Sequence, residues 1–198
     1  MNYLKITLLI LSSYVFAKNT DAQLWQDIEE SRIPNKGIRY ITPTKFTTYA
    51  LNENELKQVL DTAPLERTEA ANLDPIYFSM PMPDGTMKVF EIVNSPIMAP
   101  GLAARYPEIQ TYAGYDIDNP VNTVRFDLTP KGFHAMIFTQ KFGTVYIDPY
   151  SFDKKGYYII YKEKDSRSTI PINFKCGVLD DPLSVNEDNH KNILAQPL

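Results

Sequence analysis

The stretch from Arg105 to Lys162 constrains this chain most. Short runs rich in β-branched and aromatic residues follow one another there: Arg105 to Tyr115, Val121 to Leu128, Phe133 to Phe138, Val145 to Ile147 and Tyr157 to Lys162. Turn residues separate them, as in Thr129-Pro130-Lys131-Gly132 and Asp153-Lys154-Lys155-Gly156. Alternating runs joined by tight turns predict consecutive antiparallel strands. Val124, Phe126 and Leu128 face one way, and Thr123, Arg125 and Asp127 the other, so that strand is half buried with one wet face. Phe133 to Phe138 is apolar on both faces apart from His134, which predicts a central strand.

Other elements flank this run. Asp84-Gly85 between Ile76–Met82 and Thr86–Val93 is a hairpin signal, because glycine tolerates the positive φ of such turns. Pro81 and Pro83 confine the first arm to a sheet edge. Asn52 with Glu55 three residues on fits a capping box, and Leu56, Val59 and Leu60 make one apolar helical face. Leu24, Trp25 and Ile28 also have helical spacing, which predicts a short helix over residues 24–33. Residues 38–41 and 46–51 read as strands, and Gly101 to Arg105 as one helical turn. The expected fold class is mainly β, with α+β left open: an antiparallel sheet or sandwich with one or two short packed helices. At 43% hydrophobic and 12% aromatic content, the 198 residues can bury a real core.

The N-terminus has one lysine, Lys5, followed by an apolar run from Ile6 to Phe16. That layout is a secretory signal peptide, and it is too short for a comfortable membrane span. The predicted organisation is a signal peptide over residues 1–22, a β-rich domain over 23–178 and a polar linker or tail over 179–198. Cleavage after Ala17 or after Ala22 both fit. The chain is therefore expected to be secreted or periplasmic, with no membrane association once the signal is removed. Its net charge is −4, and removing residues 1–22 makes it one unit more negative. An acidic surface argues against nucleic acid, which needs clustered lysine and arginine.

Chemistry-bearing residues are few. The two histidines, His134 and His190, lie far apart in sequence, and no H-E-x-x-H, C-x-x-C or glycine-rich phosphate loop is present. No catalytic residue is expected in this chain, and no cofactor-binding residue. His134 reads as a satisfied core or surface histidine, and Asp116-Ile117-Asp118-Asn119 as an acidic turn before Pro120. The thirteen tyrosines read mainly as packing. Cys176 is the lone cysteine, so no intramolecular disulfide can form. Its thiolate is a good zinc ligand, and Lys175 beside it favours the thiolate. From local chemistry alone a buried inert thiol is the simpler account.

The segments S-P-I-M-A-P-G-L-A-A-R-Y-P-E-I-Q-T-Y-A-G, N-T-V-R-F-D-L-T-P-K-G-F-H-A-M-I and G-T-V-Y-I-D-P-Y resemble the N-terminal prosegment region of secreted bacterial reprolysin-like (adamalysin-type) zinc metalloproteases. The resemblance covers roughly residues 75–178. It implies a β-rich prodomain that assists folding of a zinc-bearing catalytic domain in the same precursor and keeps it latent. It also implies a cysteine switch: Lys175-Cys176-Gly177-Val178 is similar to the family's P-K-M-C-G-V, with the proline missing and the lysine moved next to the cysteine. Cys176 would then be a zinc ligand supplied to the catalytic domain's site, and zinc the partner domain's metal and not this chain's. The chain is not expected to be an enzyme by itself. The alternative is a stand-alone exported β-domain that binds a protein or glycan.

Overall fold

The computed structural model describes residues 24–34, 36–39, 41–152 and 154–166. The expected signal peptide, the tail and Cys176 lie outside these residues. Nine strands form a single antiparallel sheet: β1 Trp25–Asp27, β2 Thr47–Leu51, β3 Ile76–Pro81, β4 Met87–Asn94, β5 Gln110–Asp116, β6 Thr123–Thr129, β7 Gly132–Thr139, β8 Gly143–Ser151 and β9 Lys154–Lys162. Their order across the sheet is β1-β2-β9-β8-β7-β6-β5-β4-β3. The chain is therefore mainly β, as expected, but the sheet curls into a nearly closed barrel and is not a sandwich. β7 is the central strand. β3 is an edge strand, in keeping with Pro81, which has no N–H to give a further neighbour.

Alternation along each strand sends one set of side chains inward. Phe78, Phe90, Phe126, Phe133, Ile137, Ile147 and Tyr158 meet there in one core. Trp25 closes it. Its ring stacks on Phe78 at 6.4 Å and meets Phe133 and Tyr158 edge-on at 5.7 and 5.8 Å. Its Nε1–H donates to the Ser79 carbonyl at 2.9 Å. Trp25 lies on one edge strand and Ser79 on the other, so this side chain bridges the seam of the barrel. Gly114 serves the curl at the neighbouring β4–β5 pair, where a Cβ would collide with the Glu91 carbonyl oxygen.

Three short helices complete the fold: α1 Glu53–Leu60, α2 Glu69–Leu73 and α3 Pro100–Ala103. The expected cap holds, since Asn52 Oδ1 accepts the Glu55 backbone N–H at 3.2 Å. The reciprocal half is altered. Glu55 Oε2 takes the Asn52 side-chain amide at 3.1 Å, while the Asn52 backbone N–H goes to the Leu24 carbonyl. Leu56 and Leu60 enter the core with the barrel's own side chains. Glu53 Oε1 accepts the Tyr158 hydroxyl at 2.6 Å and the Gly156 N–H at 2.8 Å. The Tyr158 oxygen accepts the Phe133 N–H at 3.0 Å. One carboxylate thus ties the start of α1 to β9 and, through Tyr158, to β7.

Two expectations fail locally. Residues 24–33 form β1 and a short 3-10 turn at Glu30–Arg32, not a helix. Pairing Trp25 with Leu51 and Asp27 with Tyr49 buries the indole inside the barrel, and that tertiary gain overrides weak helical spacing. Residues 38–41 form no strand among the described residues. The described ones belong to a strap, residues 28–34, 36–39 and 41–46, across the outside of the barrel. Arg39 fastens it, lying 4.8 Å from the Phe46 ring and 4.5 Å from the Tyr150 ring, with Glu30 at 3.1 Å. The Tyr150 hydroxyl donates to the same Glu30 carboxylate at 2.7 Å. α2 had no counterpart in the sequence reading.

The seam makes a testable demand. Trp25→Ala should lower unfolding stability by about 3–5 kcal/mol, the usual loss for a buried large aromatic. Tyr77→Ala, at a side chain 49% exposed on β3, should stay within about 0.5 kcal/mol. Urea unfolding with m-values compared across variants checks both. Equal losses at the two positions would show that the indole does not hold the seam.

Candidate functional site

The interior is filled by aromatic and aliphatic side chains, so open sites lie on the outer face of the sheet. The strap covers β8 and β9 there, over Ile159, Tyr161 and Tyr150. The strap does not cover the outward residues of β5, β6 and β7, of which Tyr115, Thr123, Arg125 and Phe138 are exposed. The two-residue turn at Pro130-Lys131 sets their register, because Thr129 pairs with Gly132. Counting back, Asp127 falls opposite His134. Asp148 follows Ile147, the partner of Ala135, and so comes beside His134 from β8. An imidazole therefore stands between two carboxyl groups contributed by neighbouring strands.

His134 Nδ1 lies 3.2 Å from Asp127 Oδ1. That hydrogen bond, aided by the charges of Asp127 and Asp148, raises the imidazole pKa above its ordinary value against the opposing effect of burial and Lys131. Burial pushes the Asp148 carboxyl above the usual carboxylate range, and the Tyr161 hydroxyl, donating to Oδ2 at 2.6 Å, only partly offsets this. Tyr161 itself is held well above a free phenol, first by burial and then by Asp148.

Two cavities meet at this row. A groove of about 620 Å³ runs along the bare face past Ser95, Arg125, Asp127, Tyr146 and His134. Its basic group is held in place: Arg125 Nη1 donates to Ser95 Oγ at 2.8 Å, and that hydroxyl donates to Glu66 Oε2 at 2.5 Å. A smaller cavity of about 250 Å³ opens on the other side of His134 and Asp148, beneath the strap.

The His134–Asp127 pair can hold or pass on a proton. The Ser95 hydroxyl in the groove is engaged with Glu66 and Arg125, and among the described residues no hydroxyl or thiol is hydrogen-bonded to His134. Cys176, the one residue expected to ligate zinc, lies outside the described residues. Among those residues no group of three or more His, Cys, Asp or Glu side chains is placed to hold a metal ion. No helix among them is long and apolar enough to cross a membrane. Asp116 ends β5, buried, and organises the expected acidic turn that follows: it accepts the Asp118 N–H at 3.0 Å and the Asn122 amide at 2.9 Å, with Lys88 at 3.2 Å. His134 was expected to be satisfied, and Asp127 satisfies it. Asp148 reads from the sequence as a turn residue that ends its strand, but the structure places it within β8, paired with Ile159 of β9, and Tyr161 carried no expected role beyond packing. No family model matches the chain, and comparisons with curated proteins and with solved structures gave no significant match.

The imidazole carries a linked effect on stability. Its folded pKa lies above the unfolded value of about 6.5. Its contribution is therefore complete below about pH 6.5 and is lost as pH rises through the folded pKa. Asp127→Asn should lower the His134 pKa, followed by NMR titration of the ring protons, and flatten that part of the stability profile. A His134 titration unmoved by the substitution would rule out Asp127 as the main cause.

Proposed function

We propose that this chain is the exported proregion of a secreted zinc metalloprotease, helping the catalytic domain to fold and keeping it latent. The observation that carries the reading is the resemblance of the β5–β8 region and of Lys175-Cys176-Gly177-Val178 to reprolysin-like prosegments. The fold is compatible with it in a specific way. β9 lies inside the sheet between β2 and β8, and the chain beyond it is anchored where the Thr44 N–H donates to the Asp165 carbonyl at 2.8 Å. Cys176 lies ten residues past Ser166. Such a length of chain reaches at most about 35 Å when extended. A rigid barrel would thus present the thiol from a fixed origin to a zinc site on an adjoining domain.

In this reading the metal belongs to the catalytic domain. The Cys176 thiolate would be the ligand offered to that zinc, where it would exclude the water that hydrolysis needs. The outer face of the barrel supplies the docking surface. A second reading, an exported domain that binds a protein or glycan, draws support from the bare groove with its tyrosine and fixed arginine.

The genomic reading frame separates the two: continuation past Leu198 into a zinc-binding helix is expected for the proregion, and a stop with no neighbouring protease favours the binding domain. In the full-length precursor, Cys176→Ala should give proteolytic activity before maturation. Latency equal to that of the parent precursor would remove the cysteine role and leave only folding assistance.

A further inference from the structure

The floor of the outer groove is set by strand register. Three strands each contribute two outward residues to it: β6 Arg125 and Asp127, β7 Met136 and His134, β8 Tyr146 and Asp148. Strand spacing and rise make this grid roughly 10 by 7 Å. One row runs Arg125, Met136, Tyr146 and is mainly apolar. The other runs Asp127, His134, Asp148 and is polar. We propose that the grid is a saccharide site, in which a neutral sugar ring lies on Met136 and Tyr146 and its hydroxyls meet Arg125, Asp127 and His134. This gives the groove of the second reading above its ligand class, and it rests on that reading.

A ligand can reach these groups. The His134 and Asp127 side chains are 38% and 35% exposed, Arg125 is exposed, and Met136 and Tyr146 are half-buried. Their polar atoms are held in place but not used up. Ser95 Oγ takes Arg125 Nη1 at 2.8 Å, while Nε and Nη2 form no hydrogen bond among the described residues. His134 Nδ1 and Asp127 Oδ1 take each other, which leaves Nε2 and Oδ2. The Tyr146 ring packs on Tyr161 with centres 5.5 Å apart, so the platform is fixed before a ligand arrives. Groups ordered in advance add little entropic cost to binding.

Charge complementarity selects the occupant. Arg125 and Asp127 project from one strand about 7 Å apart, donor beside acceptor. An anion drawn to Arg125 meets Asp127, and a cation drawn to Asp127 meets Arg125. A hydroxyl both donates and accepts, so neighbouring sugar hydroxyls accept from the guanidinium and donate to the carboxylate in charge-assisted bonds. The C–H face of the same ring is apolar and suits the face of Tyr146, where the π-cloud is negative. A peptide's amides would find better partners along a strand edge than on a sheet face, where the backbone groups are already paired. At about 620 Å³ the groove has the size of a small-ligand site.

The test is a glycan array probed with the purified chain, followed by amide NMR titration with the neutral oligosaccharide that binds best. Saturable shifts centred on Arg125, Asp127, Met136 and Tyr146 are expected. Tyr146→Ala and Asp127→Ala should each weaken binding at least about ten-fold, and Tyr146→Phe, which keeps the ring, by no more than about two-fold. Tyr115→Ala should leave affinity unchanged, because that ring is 39% exposed on the same sheet but outside the groove. The amide spectrum of each variant reports whether the barrel is folded. Raising salt to about 0.5 M should change affinity little, since the ligand carries no charge to screen. No signal on the array, shifts away from the grid, or full affinity in folded Tyr146→Ala would overturn the site. Binding confined to acidic glycans and lost in high salt would overturn it too. So would saturable shifts on the same amides with an extended peptide and none with a saccharide, which would make the groove a protein site. The reading frame past Leu198 decides the second reading separately, so a failure of either is recognised apart from the other.

Discussion

The structure depends on one closure. Trp25, on a strand of three residues, bridges to β3 through its indole N–H and stacks on Phe78. Without that contact the two edges of a nine-stranded sheet would be free, and the inner row of aromatic rings would lose its wall. Free edges invite pairing with other chains. The indole meets two needs with one side chain. It fills volume at the centre of the core, and it takes up a carbonyl on an edge strand that has no further strand beside it. The Glu53–Tyr158–Phe133 chain of hydrogen bonds fixes the start of α1 to the sheet, so the helix is held by polar contacts as well as by Leu56 and Leu60.

Closure decides where function can reside. A small barrel packed with side chains has no interior room for a ligand, unlike wider barrels that enclose one. Every open group is displaced to the outer face, and there the strap divides the surface. Under it, Arg39 and Glu30 join Tyr150 and Phe46 in a packed secondary cluster. Beyond it, β5 to β7 keep a wet face with charged residues at regular register. The strap is thus both a cover for apolar tyrosines and isoleucines and one wall of the smaller cavity, through Ile41.

Much of this was legible in the sequence. Alternation and turn chemistry located the strands from β2 to β9, because period-two burial writes itself directly into residue order. His134, the polar exception in an otherwise apolar run, marked the outer face of the central strand. The Pro130-Lys131 turn even contained the Asp127–His134 pairing, since a two-residue loop leaves no freedom of register. Asp148 and Tyr161 were not legible in the same way. Their place beside His134 depends on strand order and register, which no local pattern announces. Trp25 misled for a related reason: three residues carry too little periodicity to outweigh a tertiary contact more than fifty positions away in sequence. Barrel closure was equally hidden, because a sandwich and a barrel bury the same alternating positions.

His134 and Asp148 line both outer cavities, and this couples whatever occupies them. A negative charge brought to either side of His134 favours the protonated imidazole, which makes the adjoining surface more positive. A cationic side chain docked in the groove does the reverse, and linkage requires each charge to change the binding of the other through His134 by the same free energy. The proregion reading needs a surface that holds a partner domain and later releases it. A shared imidazole between two carboxyl groups supplies a physical means of changing the charge on that surface without moving the barrel. The rigid part of the fold therefore remains the closed aromatic core, and the adjustable part is confined to protons on one row of the outer face.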